Sequence, residues 1–144
     1  MNFLVTGGAG FIGSHLCERL LHAGHAVWAL DDLNGFYDPA IKEQNLAEIR
    51  ALGKPFTFVQ ADLLDTAALK QLFAQAHFHQ VIHLAARAGV RPSLQEPALY
   101  QRVNVEGTVN LLEAARAQGV KKITVASSSS VYGAKTKAPF SEQE

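Results

Sequence analysis

The sequence predicts a doubly wound α/β fold: a parallel sheet of five strands in the order 3-2-1-4-5, with helices on both faces. Three observations carry that prediction. Short apolar runs alternate with segments of helical periodicity from the first residues to Ser130. The first run, Phe3-Leu4-Val5, passes almost at once into the glycines Gly7, Gly8, Gly10 and Gly13. The second, His25-Ala26-Val27-Trp28-Ala29-Leu30, ends on two carboxylates, Asp31 and Asp32.

The first unit reads as buried strand, tight turn and helix. Helical periodicity follows the glycines, with Ile12, Leu16 and Leu20 on one row and Gly13, Cys17 and Leu21 beside it. The spacing fits two templates, Gly8-x-Gly10-x-x-Gly13 and Gly7-x-x-Gly10-x-x-Gly13, and counting glycines does not separate them. Glycine belongs where a side chain would obstruct the turn, the approach of a pyrophosphate to the backbone, or the packing of helix on strand. The helix then presents its first N–H groups and the positive end of its dipole to the phosphates. In a strand-helix-strand unit the second strand ends beside this turn. A carboxylate there accepts from both hydroxyls of an adenosine ribose and repels a 2′-phosphate. The chain is therefore expected to bind NAD rather than NADP. Asp31 is nearer the strand than Asp32 and is the preferred ribose ligand; the competing reading makes the pair simply the polar end of a strand.

The remaining elements come in turn. Asn34 to Pro39 is a loop, and Pro39 suits the first turn of a helix whose apolar side is Ile41, Leu46, Ile49 and Leu52, closed by Gly53. Pro55-Phe56-Thr57-Phe58-Val59-Gln60 alternates as a third strand and runs on to Asp62. Asp65 is a candidate N-cap for a helix through Leu69, Leu72 and Phe73. The fourth strand is Gln80-Val81-Ile82-His83-Leu84-Ala85, running into Ala86-Arg87-Ala88-Gly89-Val90. A fourth helix is predicted from Pro97 to Gln118, with Leu99, Val103, Val109, Leu112 and Ala115 inward and Gly119 at its end. Lys122-Ile123-Thr124-Val125-Ala126 is the fifth strand, and Ser127 to Ser130 leaves it.

Composition narrows the function classes. With 144 residues, 48% apolar and 18% charged, the chain is of ordinary globular composition and long enough for a sizeable core. No repeat or linker divides it, so residues 1–144 are expected to form one domain. Thirteen basic and thirteen acidic residues cancel, which gives no reason to invoke nucleic acid or a membrane surface. The first strand opens at residue 2 and no apolar run approaches a membrane span, so a cytoplasmic location is expected. Cys17, the single cysteine, lies on the apolar face of the first helix and reads as core rather than nucleophile. No metal is expected: His77 and His79 precede the fourth strand, His83 lies near its other end, and no further ligand completes a set.

Ligands of such sheets bind beyond the carboxyl ends of the strands, at the switch between strands 1 and 4. Gly7–Gly13, Asp31, Asp62, Leu84–Arg87 and Ser127–Ser130 all fall at such ends, so five strand ends converge on one crevice.

Four segments resemble the extended short-chain dehydrogenase/reductases, and more narrowly the NAD-dependent nucleotide-sugar epimerases and dehydratases. They are Thr6-Gly7-Gly8-Ala9-Gly10-Phe11-Ile12-Gly13, His83-Leu84-Ala85-Ala86, Asn104-Val105-Glu106-Gly107-Thr108 and Ser127-Ser128-Ser129-Ser130-Val131-Tyr132-Gly133. Asp31-Asp32-Leu33-Asn34, Tyr37-Asp38-Pro39 and Ala88-Gly89-Val90-Arg91 look most like UDP-glucuronate 4-epimerases. The resemblance implies a Rossmann-type domain and a reaction in which NAD takes a hydride from C4 of the sugar while a tyrosine, tuned by a lysine, removes the hydroxyl proton. The 4-keto sugar then turns over and the hydride returns to its other face. It places Phe11 and Ile12 over the pyrophosphate, Asp31 on the ribose with Asp32 and Asn34 beside it, and Asp62 and Leu63 about the adenine. Leu84, Ala85, Ala86 and Arg87 pass the cofactor, and Asn104 holds that loop. Ser128 falls at the catalytic Ser/Thr position, with Ser129 toward the substrate; a four-serine run also reads as a solvated loop. Arg87 and Arg91 are candidates for a phosphate or sugar carboxylate, and equally for plain surface arginines.

The chain departs from this family at the catalytic Tyr-x-x-x-Lys. Tyr132 has Lys135 three residues on, and neither Tyr37 nor Tyr100 has a lysine at the required spacing. The expectation is a truncated, cofactor-binding half ending at Glu144, inactive alone and prone to self-association through the uncovered edge of strand five. The competing classes are a non-catalytic NAD-binding module acting through a protein partner, and an interaction domain that folds without cofactor.

Overall fold

The computed structural model describes residues 1–133 and 138–143; Lys135 and Glu144 lie outside them. β1 (Asn2–Thr6), α1 (Phe11–His22), β2 (Ala26–Asp31), α2 (Pro39–Ala51), β3 (Phe56–Gln60), α3 (Thr66–Gln75) and β4 (Gln80–His83) alternate along the chain. After β4 come two short helices, α4 (Val90–Gln95) and α5 (Pro97–Gln101), a π-helical turn (Arg102–Glu106), α6 (Gly107–Ala117), β5 (Ile123–Val125) and a 3-10 turn (Ser129–Tyr132). The strands form one five-stranded parallel sheet in the order β3-β2-β1-β4-β5, as the sequence predicts. Among the described residues no helix is long and apolar enough to cross a membrane.

Each strand is apolar on both sides because helices cover both faces. Successive residues point to opposite faces, so Leu4 enters one core with Leu69, Leu72, Phe78 and Leu111, while Val5 enters the other with Cys17, Leu21 and Ile49. Trp28 and Phe73 meet Phe78 edge-on, which fills the wider core. In α3 the predicted cap holds: the Asp65 carboxylate accepts from the N–H groups of Ala67 and Ala68.

Three helix faces differ from the periodicity reading. In α1 the buried row is Gly13, Cys17 and Leu21, while Ile12 is 68% exposed at the helix mouth. In α2 Ile41 turns outward and Lys42 takes the inward place above Leu46 and Ile49. The predicted long helix is broken, and its C-terminal part packs through Gly107, Leu111 and Ala115 rather than Val109 and Leu112. Gly107, Leu111 and Ala115 form a four-residue row along one side of α6, and Val109 and Leu112 fall off that row, after a π-helical turn whose wider ring carries one extra residue. β4 also stops at His83, and Leu84 to Gly89 continues as irregular chain.

Candidate functional site

The turn after β1 is held by its own backbone. The N–H groups of Gly7 and Gly8 donate to the Leu30 carbonyl at 2.8 and 3.2 Å, and Gly10 N–H closes on the Gly7 carbonyl at 3.1 Å. Gly7 has φ +68, and a Cβ there would lie 2.9 Å from the Ala85 nitrogen. A Cβ on Gly8 would stand 2.6 Å from that of Ala29, and one on Gly13 would strike the Gly7 carbonyl oxygen. Gly10 has more room, its nearest neighbours being the Gly7 oxygen at 3.3 Å and the Tyr37 hydroxyl at 3.7 Å. Packing therefore accounts for Gly7, Gly8 and Gly13, whereas at Gly10 a Cβ would press the Gly7 oxygen only slightly. At the mouth of α1 no side chain caps the helix and no acidic residue occupies the first turn. Phe11 and Ile12 stand exposed there.

Beyond the strand ends lies a cleft of about 220 Å³. Gly7 and Gly10 line it from the turn, Asp31, Asp32 and Asn34 from the end of β2, and Asp62 and Leu63 from the segment after β3. Leu84, Ala85, Ala86 and Arg87 form the wall after β4. Sequence reasoning missed Tyr37, Lys42 and Val103, which also line it; Leu30, Phe36, Ala61 and Ala88 complete the lining. Phe11, Ile12, Gly13, Asn104, Arg91, Ser128 and Ser129 are not part of it. Ser128 caps the 3-10 turn after β5, its hydroxyl oxygen accepting from Ser130 N–H at 3.2 Å. Arg91 is exposed on α4.

Asp31 has a partner that the sequence reading did not assign. Its Oδ1 accepts from Lys42 Nζ at 2.9 Å and from Leu33 N–H at 3.0 Å, and its Oδ2 accepts from Ala9 N–H at 3.3 Å. Both members of the ion pair are nearly excluded from water, at 6% and 5% exposure. Lys42 Nζ also lies 3.9 Å from Asp32 Oδ1 and 5.3 Å above the centre of the Tyr37 ring. The legible signal was a lysine on the i, i+4, i+7 row Lys42-Leu46-Ile49, where a charge enters the fold only with a partner. Asp32 binds its own loop, accepting from Asn34 N–H and Nδ2.

The wall after β4 is fastened from behind. Asn104, in the π-helical turn, accepts from Arg87 N–H at 2.8 Å and donates to the Arg87 carbonyl at 3.0 Å. His83 is buried between Thr6 and Thr108, and burial lowers its pKa below the ordinary imidazole value. Of the other histidines, His79 Nδ1 accepts from the Asn2 N–H at the opposite end of the sheet. Among the described residues no three metal-ligating side chains come together.

The family model described as GDP-mannose 4,6 dehydratase matches residues 4–144. The chain belongs to that family. Among curated relatives, the UDP-glucuronate 4-epimerase of Thermodesulfobacterium geofontis is 46% identical over 140 residues, 97% of this chain and 43% of the relative. UDP-glucuronate 4-epimerase 3 of Arabidopsis thaliana is 44% identical over 142 residues, 98% of this chain and 33% of the relative. The UDP-glucose 4-epimerase of Bifidobacterium longum, solved in complex with NAD+ and UDP, superposes with a TM-score of 0.89 at 33% identity, over 99% of this chain and 42% of that one. The chain thus spans less than half the length of the curated relatives it matches. A non-catalytic module acting through a partner finds no support among these relatives, which are named as epimerases.

Proposed function

We propose that the chain binds NAD in the cleft beyond β1 to β4, as the cofactor-holding part of a nucleotide-sugar 4-epimerase of the UDP-glucuronate kind. The observation that carries this reading is Gly10, where a bare backbone faces the cleft and packing constrains the position least among the four glycines of the turn, at the uncapped mouth of α1. Asp31 and Asp32 lie in the same cleft. The residues present fit a dinucleotide.

Bound NAD supplies the chemistry of taking up and returning a hydride at a sugar carbon. The chain's own residues bind and orient. N–H groups at Phe11 and Ile12 hold the pyrophosphate, and Gly7, Gly10 and Gly13 keep its approach clear. Asp31 and Asp32 accept from the ribose hydroxyls while Lys42 fixes the first of them, and Asn34 orders the loop beside them. Asp62 and Leu63 flank the adenine, and Leu84, Ala85, Ala86 and Arg87 pass the cofactor with Asn104 behind them. Ser128 holds the sugar hydroxyl whose proton moves; Ser129 and Arg91 meet the rest of the substrate. Residues 1–144 act as one domain, in the cytoplasm. No tyrosine in these residues has a lysine four positions on, so they carry no turnover of UDP-glucuronate by themselves. β5 pairs with β4 alone among the described residues, and Val125 is half exposed there, which favours self-association through that edge.

Titration calorimetry tests the central claim. Heat from NAD, with much weaker binding of NADP, is the expected result; no heat from NAD on folded material overturns it. Light scattering tests self-association, and a monodisperse monomer at high concentration contradicts it.

A further inference from the structure

The hydroxyl and imidazole groups behind the cleft form a chain in which each donor is assigned. Thr108 O–H donates to the Asn104 carbonyl at 2.7 Å. Its oxygen is then an acceptor for the ring nitrogen 2.9 Å away, His83 Nε2, which must carry the proton. With the imidazole neutral, Nδ1 is bare and accepts from Thr6 O–H at 2.6 Å. Thr6 oxygen in turn accepts from Ala85 N–H at 3.2 Å. At the far end of the chain, Asn104 grips both the N–H and the carbonyl of Arg87.

Two of the residues so fastened, Ala85 and Arg87, line the cleft, whereas His83 does not. The wall itself is irregular chain, tied to the sheet backbone at its start, where Leu84 N–H donates to the Thr6 carbonyl at 3.2 Å, and beyond that by side chains. β1 supplies one anchor through Thr6, the π-helical turn supplies the other through Asn104, and the imidazole is the side chain that joins them. Burial of the ring excludes the water that would otherwise replace either bond.

We propose that His83, as its Nε2-protonated tautomer, is a positioning residue that fixes the Leu84–Arg87 wall by joining the Thr6 anchor at Ala85 to the Thr108–Asn104 anchor at Arg87. Its effect on cofactor affinity rests on the proposed NAD binding; its effect on the wall does not.

Long-range nitrogen–proton correlation spectra of the histidine-labelled chain at neutral pH read the tautomer directly. The expected result is one ring with a bare Nδ1 and a protonated Nε2; an Nδ1-protonated or charged His83 overturns the proposal without any substitution. Thr108→Val is expected to speed amide exchange at Ala85 and Arg87 by about five- to tenfold, the worth of one net hydrogen bond, and to raise the NAD Kd by a similar factor. Thr108→Ser restores the hydroxyl and is expected to return both to the unaltered values. Unchanged exchange in folded Thr108→Val, an unchanged Kd, or no rescue by serine overturns the proposal. Spectra and exchange are measured without cofactor, so a chain that shows the bare-Nδ1 tautomer and the exchange response but does not bind NAD overturns the NAD reading alone.

Discussion

Lys42 reaches inward from α2 to Asp31 at the end of β2, placing its Nζ 2.9 Å from Oδ1 in a site almost closed to water. Breaking a buried pair by removing one partner leaves an uncompensated charge, which costs about 3–5 kcal/mol. Lys42→Met is therefore expected to destabilise the chain by that order. Asp31→Asn alone also strands Lys42, while the double variant recovers part of the loss. Urea denaturation of the two single variants and the double variant checks this, and strict additivity contradicts it.

The four glycines of the turn separate by what limits them. Gly8→Ala and Gly13→Ala push a methyl against Ala29 and the Gly7 carbonyl, and each is expected to cost about 1–3 kcal/mol in stability. Gly10→Ala, with its nearest contact at 3.3 Å and an ordinary extended backbone, is expected to stay within about 1 kcal/mol and to weaken NAD binding by more than tenfold. Thermal unfolding together with calorimetry distinguishes the two classes.

The stability of the fold should fall with acid through His83. Thr6 of β1, Val125 of β5 and Thr108 of α6 neighbour this ring, none of them ionisable. Burial is the sole cause of the lowered pKa, and no charged group contributes. An unfolded chain takes up the proton near 6.5 and the folded one only at lower pH. The contribution is thus complete above 6.5 and is lost as pH falls through the folded value. Urea midpoints at pH 7.5 and 5.5 should differ more for the unaltered chain than for His83→Asn.

Cys17 should be inert while the chain is folded. It is fully buried, and burial, followed by the charge of Glu18, pushes its thiol up to about 12. Iodoacetamide at pH 8 is expected to label it only after denaturant is added. Stoichiometric labelling of native material, read by mass spectrometry, contradicts this.

Most of the cleft could be read before the structure, because its residues sit at strand ends that alternation locates. The glycine turn, Asp31 and Leu84–Arg87 are of this kind, and so is the strand order, which comes from right-handed crossovers. Lys42 escaped because a lysine among apolar positions is normally solvated, and its carboxylate partner lies eleven residues earlier on a different element. Val109 and Leu112 are apolar but lie off the four-residue row Gly107, Leu111 and Ala115 that packs inward, so apolar character alone misplaces them. His83 falls inside a predicted strand, and strand alternation says nothing of what its ring binds. Its two partners come from β1 and α6, 77 and 25 positions away in the chain.

The widened turn at Arg102–Glu106 is where this helical run can lose a single codon with least harm. Losing one residue there would restore an even 3.6-residue pitch and keep every later side chain on its present bearing, because the turn already absorbs one extra residue. Thr108 would stay on the imidazole, Asn110 on the Leu63 carbonyl it reaches at 3.1 Å, and Leu111 against the sheet. The same loss from an ordinary turn of α6 would swing all that follows by about 100°.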